Sequence, residues 1–198
     1  MRCQGQWYNT ETMHIGLFGG VFNPPHLGHL MVAQQVLDYT DIEEVWFLPN
    51  YGQLPPKPGI APVADRLAMA KLLTLPKTKI STIEIDNQLS GNTIDLLPVL
   101  PRGNTYTFIM GSDWLPGFTK WGRWEELLEK LPFLVFPRND HPTGPLYKNM
   151  TLLAHPNLVT SNISSTKIRA RIAAGLAIDQ FVPEAVAHYV YDHGLYRS

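Results

Sequence analysis

A single cysteine, Cys3, stands among 198 residues. That excludes a disulfide within the chain and leaves a cysteine-based zinc site without a second thiolate. Long apolar runs are missing as well. No segment approaches the ~20 apolar residues that span a bilayer, and Met1–His14 lacks the apolar core of a secretory signal. Residues 1–13 are read as an N-terminal extension, and a reducing cytoplasm is the expected compartment. Neither charge is in excess: 16 Lys+Arg against 17 Asp+Glu leave a net charge of −1. No bulk basic field therefore marks nucleic acid or an anionic membrane as a partner, and an anionic ligand has to be held by local groups. Also absent are the G-x-G-x-x-G fingerprint and the lysine-bearing P-loop, which argues against a nicotinamide-dependent oxidoreductase and a P-loop enzyme.

What is present is an ordinary apolar share, 44%, in a chain long enough to bury a sizeable core. Strand-like runs occur at His14–Phe18, Glu44–Pro49, Lys79–Ile85, Thr105–Gly111 and Pro132–Pro137. Helical spacing separates them: Leu30, Ala33, Val36 and Leu37, then Ala64–Thr74, then the amphipathic Trp124–Leu131. Short apolar strands alternating with helices predict an α/β fold, a Rossmann-like parallel sheet with helices on both faces. Residues 14–198 are read as one domain ending in a helical segment. In such sheets ligands bind beyond the carboxyl ends of the strands, where the first strand leads into the first helix.

That place is occupied by Ile15-GLFGGVFNPPHLGHL-Leu30. Gly19 and Gly20, directly after the first strand, are expected to turn the chain and bare its N–H groups to a phosphate. Asn23-Pro24-Pro25 delays the helix to about His26–His29, so both histidines fall at a helix N-terminus, where free N–H groups and the dipole favour anions. There the imidazoles can donate hydrogen bonds to phosphate oxygens and, when protonated, offset negative charge. A simple turn with capping or solvated histidines fits the same letters. Zinc fits less well, because His-x-x-His lacks the glutamate of His-Glu-x-x-His. A second helix start lies in Asn162-ISSTKIRARIAAG-Gly175, with Ser164 and Ser165 as caps, Ile168 and Ile172 on a buried face, and Gly175 as terminator. Its hydroxyls, with Arg169 nearby, suit a phosphate, although a plain capped amphipathic helix reads equally well.

Five stretches together resemble one family. His26-Leu-Gly-His29 after a glycine-bearing strand is similar to the (H/T)-x-G-H signature of the nucleotidyltransferase superfamily, and Ile163-SSTKIR-Arg169 resembles its I-S-S-T-x-I-R motif. Gly111-Ser-Asp113, Trp121-GRWEELL-Leu128 and Phe181-VPEAVAHYVYDHGLY-Tyr196 resemble the G-x-D, W-x-R-W-E-E-L and closing segments of bacterial nicotinate-mononucleotide adenylyltransferases. The resemblance runs from His14 nearly to the end and gives the expected fold its nucleotidyltransferase type.

The resemblance implies that ATP and nicotinate mononucleotide give deamido-NAD and pyrophosphate, with Mg²⁺ carried mainly by the ATP phosphates and no metal held by protein ligands alone. It implies catalytic roles for His26, His29 and Arg169, and ATP contacts at Gly19, Gly20, Phe22, Gly111, Asp113, Ile163, Ser164 and Ser165. Asn23, Lys57, Thr93 and Trp121 are the expected acceptor contacts, Trp121 by stacking on the pyridine ring. A homo-oligomer is left open. Four departures from the family's pattern gather around the acceptor. Asn23 stands where many bacterial members carry Asp, Asn92 replaces an aromatic residue, Gly122 replaces a common His, and Pro55-Pro56-Lys57 lacks the family's His. No lysine or arginine adjoins Thr93, so backbone N–H groups are expected to meet the ring substituent and to favour the acid over the amide. Nicotinamide mononucleotide or phosphopantetheine as acceptor, and a nucleotide-binding module without turnover, are the alternatives.

Overall fold

Side chains alternate across a strand, so two faces of one sheet can be read directly from burial. The computed structural model describes residues 12–52 and 59–197. Its strands are β1 (His14–Gly20), β2 (Glu44–Pro49), β3 (Thr78–Ile80), β4 (Thr105–Gly111), β5 (Phe133–Phe136) and β6 (Met150–Leu152). All pair in parallel, in the order β3-β2-β1-β4-β5-β6. Ile15, Leu17, Trp46, Leu48, Phe133 and Val135 face one side, against the 3₁₀ segment Ser112–Lys120 and helix α4 (Trp124–Lys130). Val45, Phe47, Ile109, Leu134 and Phe136 face the other, against α1 (Leu27–Tyr39) and α2 (Val63–Ala70). This is the expected Rossmann-like α/β sheet in its doubly wound order. The chain leaves β1 in one direction and resumes at β4 on its other side, which opens a crevice at their carboxyl ends.

Two further helices complete the layers. Helices α5 (Ser165–Ala173) and α6 (Glu184–Asp192) pack Ile168, Ile172, Val186 and Val190 with Met69 of α2 into a third apolar cluster. No described helix is long and apolar enough to cross a membrane.

Three expectations need correction. Gly19 and Gly20 do not follow β1 but end it, paired with Leu48 and Pro49. The turn comes at Phe22, whose φ is +49°. The run Lys79–Ile85 is strand only to Ile80; then a helical turn, α3 (Ile83–Asp86), takes over, closed by Asp86 N–H to Thr82 O at 2.8 Å. Its isoleucines mimic a period of two, but β3 is an edge strand, and the turn brings Glu84 inward toward the buried Arg66 guanidinium. Strand β6 lies beyond the expected strands altogether, and only three residues long it carries too little periodicity to be read.

The loops at the carboxyl edge are packed against one another. Gly52, just after β2, donates its N–H to Leu89 O at 3.1 Å. A methyl group there would collide with Ser90 O and sit 2.6 Å from Ser90 C, both backbone atoms. Gly52→Ala should therefore cost about 1–3 kcal/mol of stability, as overpacking against an unyielding wall does. Urea unfolding measures it, and a loss under about 0.5 kcal/mol would mean that the two loops part freely.

Candidate active site

The crevice between β1 and β4 is lined by His26, Gly28, His29, Gly111, Arg138 and Ile163. His26 is the N-cap of α1, and its backbone N–H donates to His29 Nδ1 at 3.0 Å. A neutral imidazole that accepts at Nδ1 carries its proton on Nε2, so this bond selects the tautomer and leaves Nε2–H as the donor. The rings stack with centroids 3.8 Å apart and a 27° tilt. Phe22 backs them, its ring 4.8 Å from that of His29. Gly28 is required by close approach: a Cβ there would stand 2.9 Å from His26 Nδ1.

Of the two roles expected of the imidazoles, donation and, when protonated, charge offset, the surroundings favour the first. Burial, then the Arg138 guanidinium, hold the His29 pKa down at about 3. Burial first, then His29 and Arg138, push that of His26 well below the usual value. Both rings are neutral at physiological pH because water is excluded and a cation is already present. They act as hydrogen-bond donors; the resident positive charge is Arg138.

Arg138 went unnoticed in the sequence. It lies two residues past β5, at the edge where ligands bind in such sheets, and that position is the signal that could have found it. Its Nη2 donates to Ile163 O at 2.9 Å, its backbone N–H to Ser112 Oγ at 3.0 Å, and its Nε lies 3.8 Å from Asp113 Oδ1. Among the described residues only two buried side-chain polar atoms lack a hydrogen-bond partner, His26 Nδ1 and Asp113 Oδ1. A second cation, Arg66, is buried and spends its guanidinium on Ala61 O, Val21 O and Asn50 Oδ1, holding the loops after β1 and β2 together.

The second motif meets the first from behind. Ser164 caps α5, accepting from Lys167 N–H at 3.3 Å, while Ser165 Oγ donates to Pro24 O and Arg169 Nη1 to Asn23 O, each at 2.8 Å. Asn23 is itself a junction, 2% exposed. Its Oδ1 accepts from Ala61 N–H and from Tyr196 Oη–H, at 2.9 and 2.7 Å, and its Nδ2 donates to Gly59 O at 3.1 Å. Both acceptor lone pairs are taken, so Asn23 fastens loops and has at most one N–H to give a ligand.

Thr93 and Trp121 gather farther along the same edge. Thr93 opens the 3₁₀ segment Thr93–Val99, and the half-buried Trp121 ring packs 5.1 Å from Phe118 and 6.1 Å from Phe108. The two stretches touch through Asn92 and Gly122. Lys57 lies outside the described residues.

Residues 17–171 match the cytidylyltransferase-like family model. A Salinibacter ruber relative, named a probable nicotinate-nucleotide adenylyltransferase, is 37% identical over 195 residues, covering 93% of this chain and 98% of its own length. The nicotinate-nucleotide adenylyltransferase of Bacillus subtilis is 31% identical over 192 residues, with 93% and 98% covered. The fold is shared with Plasmodium falciparum nicotinic acid mononucleotide adenylyltransferase, solved in complex with NaAD: TM-score 0.78 at 20% identity, over 93% of this chain and 97% of that one. On the strength of the family match and of two relatives aligned along nearly their whole length, the chain belongs to the nicotinate-nucleotide adenylyltransferases, within the cytidylyltransferase-like family.

Proposed function

We propose that this protein transfers the adenylyl group of ATP to nicotinate mononucleotide, forming deamido-NAD and pyrophosphate in the cytoplasm as a step of NAD biosynthesis. The observation that carries the reading is the pair of orphaned buried atoms. His26 lines the crevice at the switch point and Asp113 Oδ1 lies 3.8 Å from Arg138, which lines it too, and a buried polar atom without a partner costs free energy unless a ligand or water completes it. Family membership says which ligand.

The acceptor's 5′-phosphate oxygen attacks the α-phosphorus of ATP in line, and the bond to the β-phosphate oxygen breaks as pyrophosphate leaves. No bond to the protein forms. Catalysis of this kind is positioning and charge stabilisation. His29 Nε2–H, with its tautomer set by His26, donates to the triphosphate where negative charge grows. His26 donates beside it, and Arg138 supplies the fixed cation. Gly19, Gly20, Phe22, Gly111 and Ile163 shape the phosphate path with backbone, and Asp113 accepts ribose hydroxyls. Ser164, Ser165 and Arg169 serve the outer phosphates while tying α5 to the histidine loop. Thr93 and Trp121 take the pyridine ring; Lys57 is assigned to the acceptor by its place in the sequence alone, and Asn23 by the one N–H it has left to give. A Mg²⁺ ion carried with ATP would neutralise part of the phosphate charge. Among the described residues no group of three or more His, Cys, Asp or Glu would hold it apart from the nucleotide.

Three measurements follow from this assignment. Pyrophosphate release from ATP should depend on added nicotinate mononucleotide; ATP turnover indifferent to every mononucleotide would refute the reading. His29→Ala should lower kcat by an amount equal to one lost, well-aligned donor, about 2.7–4 kcal/mol, with a much smaller change in ATP affinity. Near-normal turnover would remove His29 from the chemistry. Arg169→Ala should weaken ATP far more than AMP, which lacks the outer phosphates. Equal weakening of both would make Arg169 only the tie to Asn23 O.

A further inference from the structure

Two of the departures from the family's pattern, Asn92 and Gly122, meet each other in the structure. A Cβ on Gly122 would stand 2.8 Å from Asn92 Oδ1 and 3.1 Å from its Cγ, so the amide fills the space that a side chain at 122 would need. Its orientation follows from hydrogen-bond chemistry. Ser90 Oγ donates its single proton to Asp95 Oδ2 at 2.7 Å, which leaves only lone pairs for its other neighbours. Those neighbours are Asn92 N–H at 3.1 Å and Asn92 Nδ2 at 3.0 Å. The amide nitrogen therefore turns one of its two N–H groups to Ser90, and the oxygen is the nearer end to Gly122, one residue from Trp121.

Among the described residues, Arg123 and Lys79 are engaged elsewhere. Arg123 forks onto Glu126, with Nε to Oε2 and Nη2 to Oε1 both at 2.8 Å. Lys79 Nζ sits 3.5 Å above the Trp46 ring and 3.8 Å from Glu44 Oε1.

We infer that Asn92 Oδ1 reads the ring substituent of the acceptor, and that this chain takes the pyridine carboxamide mononucleotide alongside the acid. The inference rests on the proposed stacking of the pyridine ring on Trp121. A carboxylate offers acceptors only, and against Oδ1 it sets like against like. A carboxamide turns its NH₂ to Oδ1 and pairs. Backbone N–H groups near Thr93 then serve the remaining carbonyl oxygen of either substrate.

The test compares kcat/KM for nicotinate and nicotinamide mononucleotides, with ATP saturating, in the unmutated protein and in Asn92→Ala, whose fold is checked by its melting temperature. The unmutated protein should use both within about tenfold. In Asn92→Ala the amide-to-acid ratio should fall by about tenfold or more, the size of effect expected when a polar site loses its partner. A purely structural role would lower both values together and leave the ratio where it was. A preference for the acid beyond about tenfold in the unmutated protein, or an unchanged ratio in the variant, overturns the inference and leaves adenylyl transfer standing. Turnover of neither mononucleotide would overturn both.

Discussion

One hydrogen bond, from the His26 N–H to His29 Nδ1, decides what the crevice can do. Without it either nitrogen of His29 could carry the proton; with it the proton sits on Nε2 and the ring is a donor of fixed direction. The bond exists because His26 is the N-cap of α1, where the first N–H groups of a helix lack intrahelical partners. The same burial that shelters it keeps both imidazoles neutral. Two rings stacked at 3.8 Å beside Arg138 could hold a second and third positive charge only at high cost. Positive charge is thus placed on Arg138, and direction on histidines whose neutral form is favoured.

That arrangement has to be held against thermal motion, and the C-terminal third of the chain holds it. Ser165 and Arg169 bond the carbonyls of Pro24 and Asn23, Phe181 O accepts from Leu27 N–H at 3.0 Å, and Tyr196 reaches the Asn23 amide across 173 residues. Three separate segments converge on residues 23–27. Each bond alone contributes about 0.5–1.5 kcal/mol, but together they leave the loop between β1 and α1 few alternative conformations. The I-S-S-T-x-I-R motif and the closing segment are then structural partners of the histidine motif as well as candidate ligand contacts.

Much of this was legible in the sequence, for identifiable reasons. Glu44–Pro49 and Thr105–Gly111 are predominantly apolar, strand-like runs with sharp borders, and the strands have those same limits. The helix start at His26 was legible because Pro24-Pro25 forbids an earlier one. Illegible were the features made by tertiary contact. Arg138 is an unremarkable surface-type residue until β5 is placed beside β4. Asn23 reads as a ligand until Tyr196 and Ala61 are found on its oxygen. Burial of His26 and His29, which sets their charge, is a property of what surrounds them, and no local pattern encodes it. The helical turn at Ile83 defeated a period-two pattern because packing at a sheet edge outweighed local alternation.

Nitrogen-15 NMR of the histidine rings, titrated from pH 8 to pH 5, tests the central claim most directly. His29 has its proton affinity lowered to a pKa of about 3, so nothing in that window should protonate it. The account predicts a His29 ring with hydrogen on Nε2 and a bare Nδ1 at every point, and a His26 ring that also stays neutral. A His26 or His29 resonance that takes up a proton near pH 6.5, or a His29 ring protonated at Nδ1 instead, would contradict it.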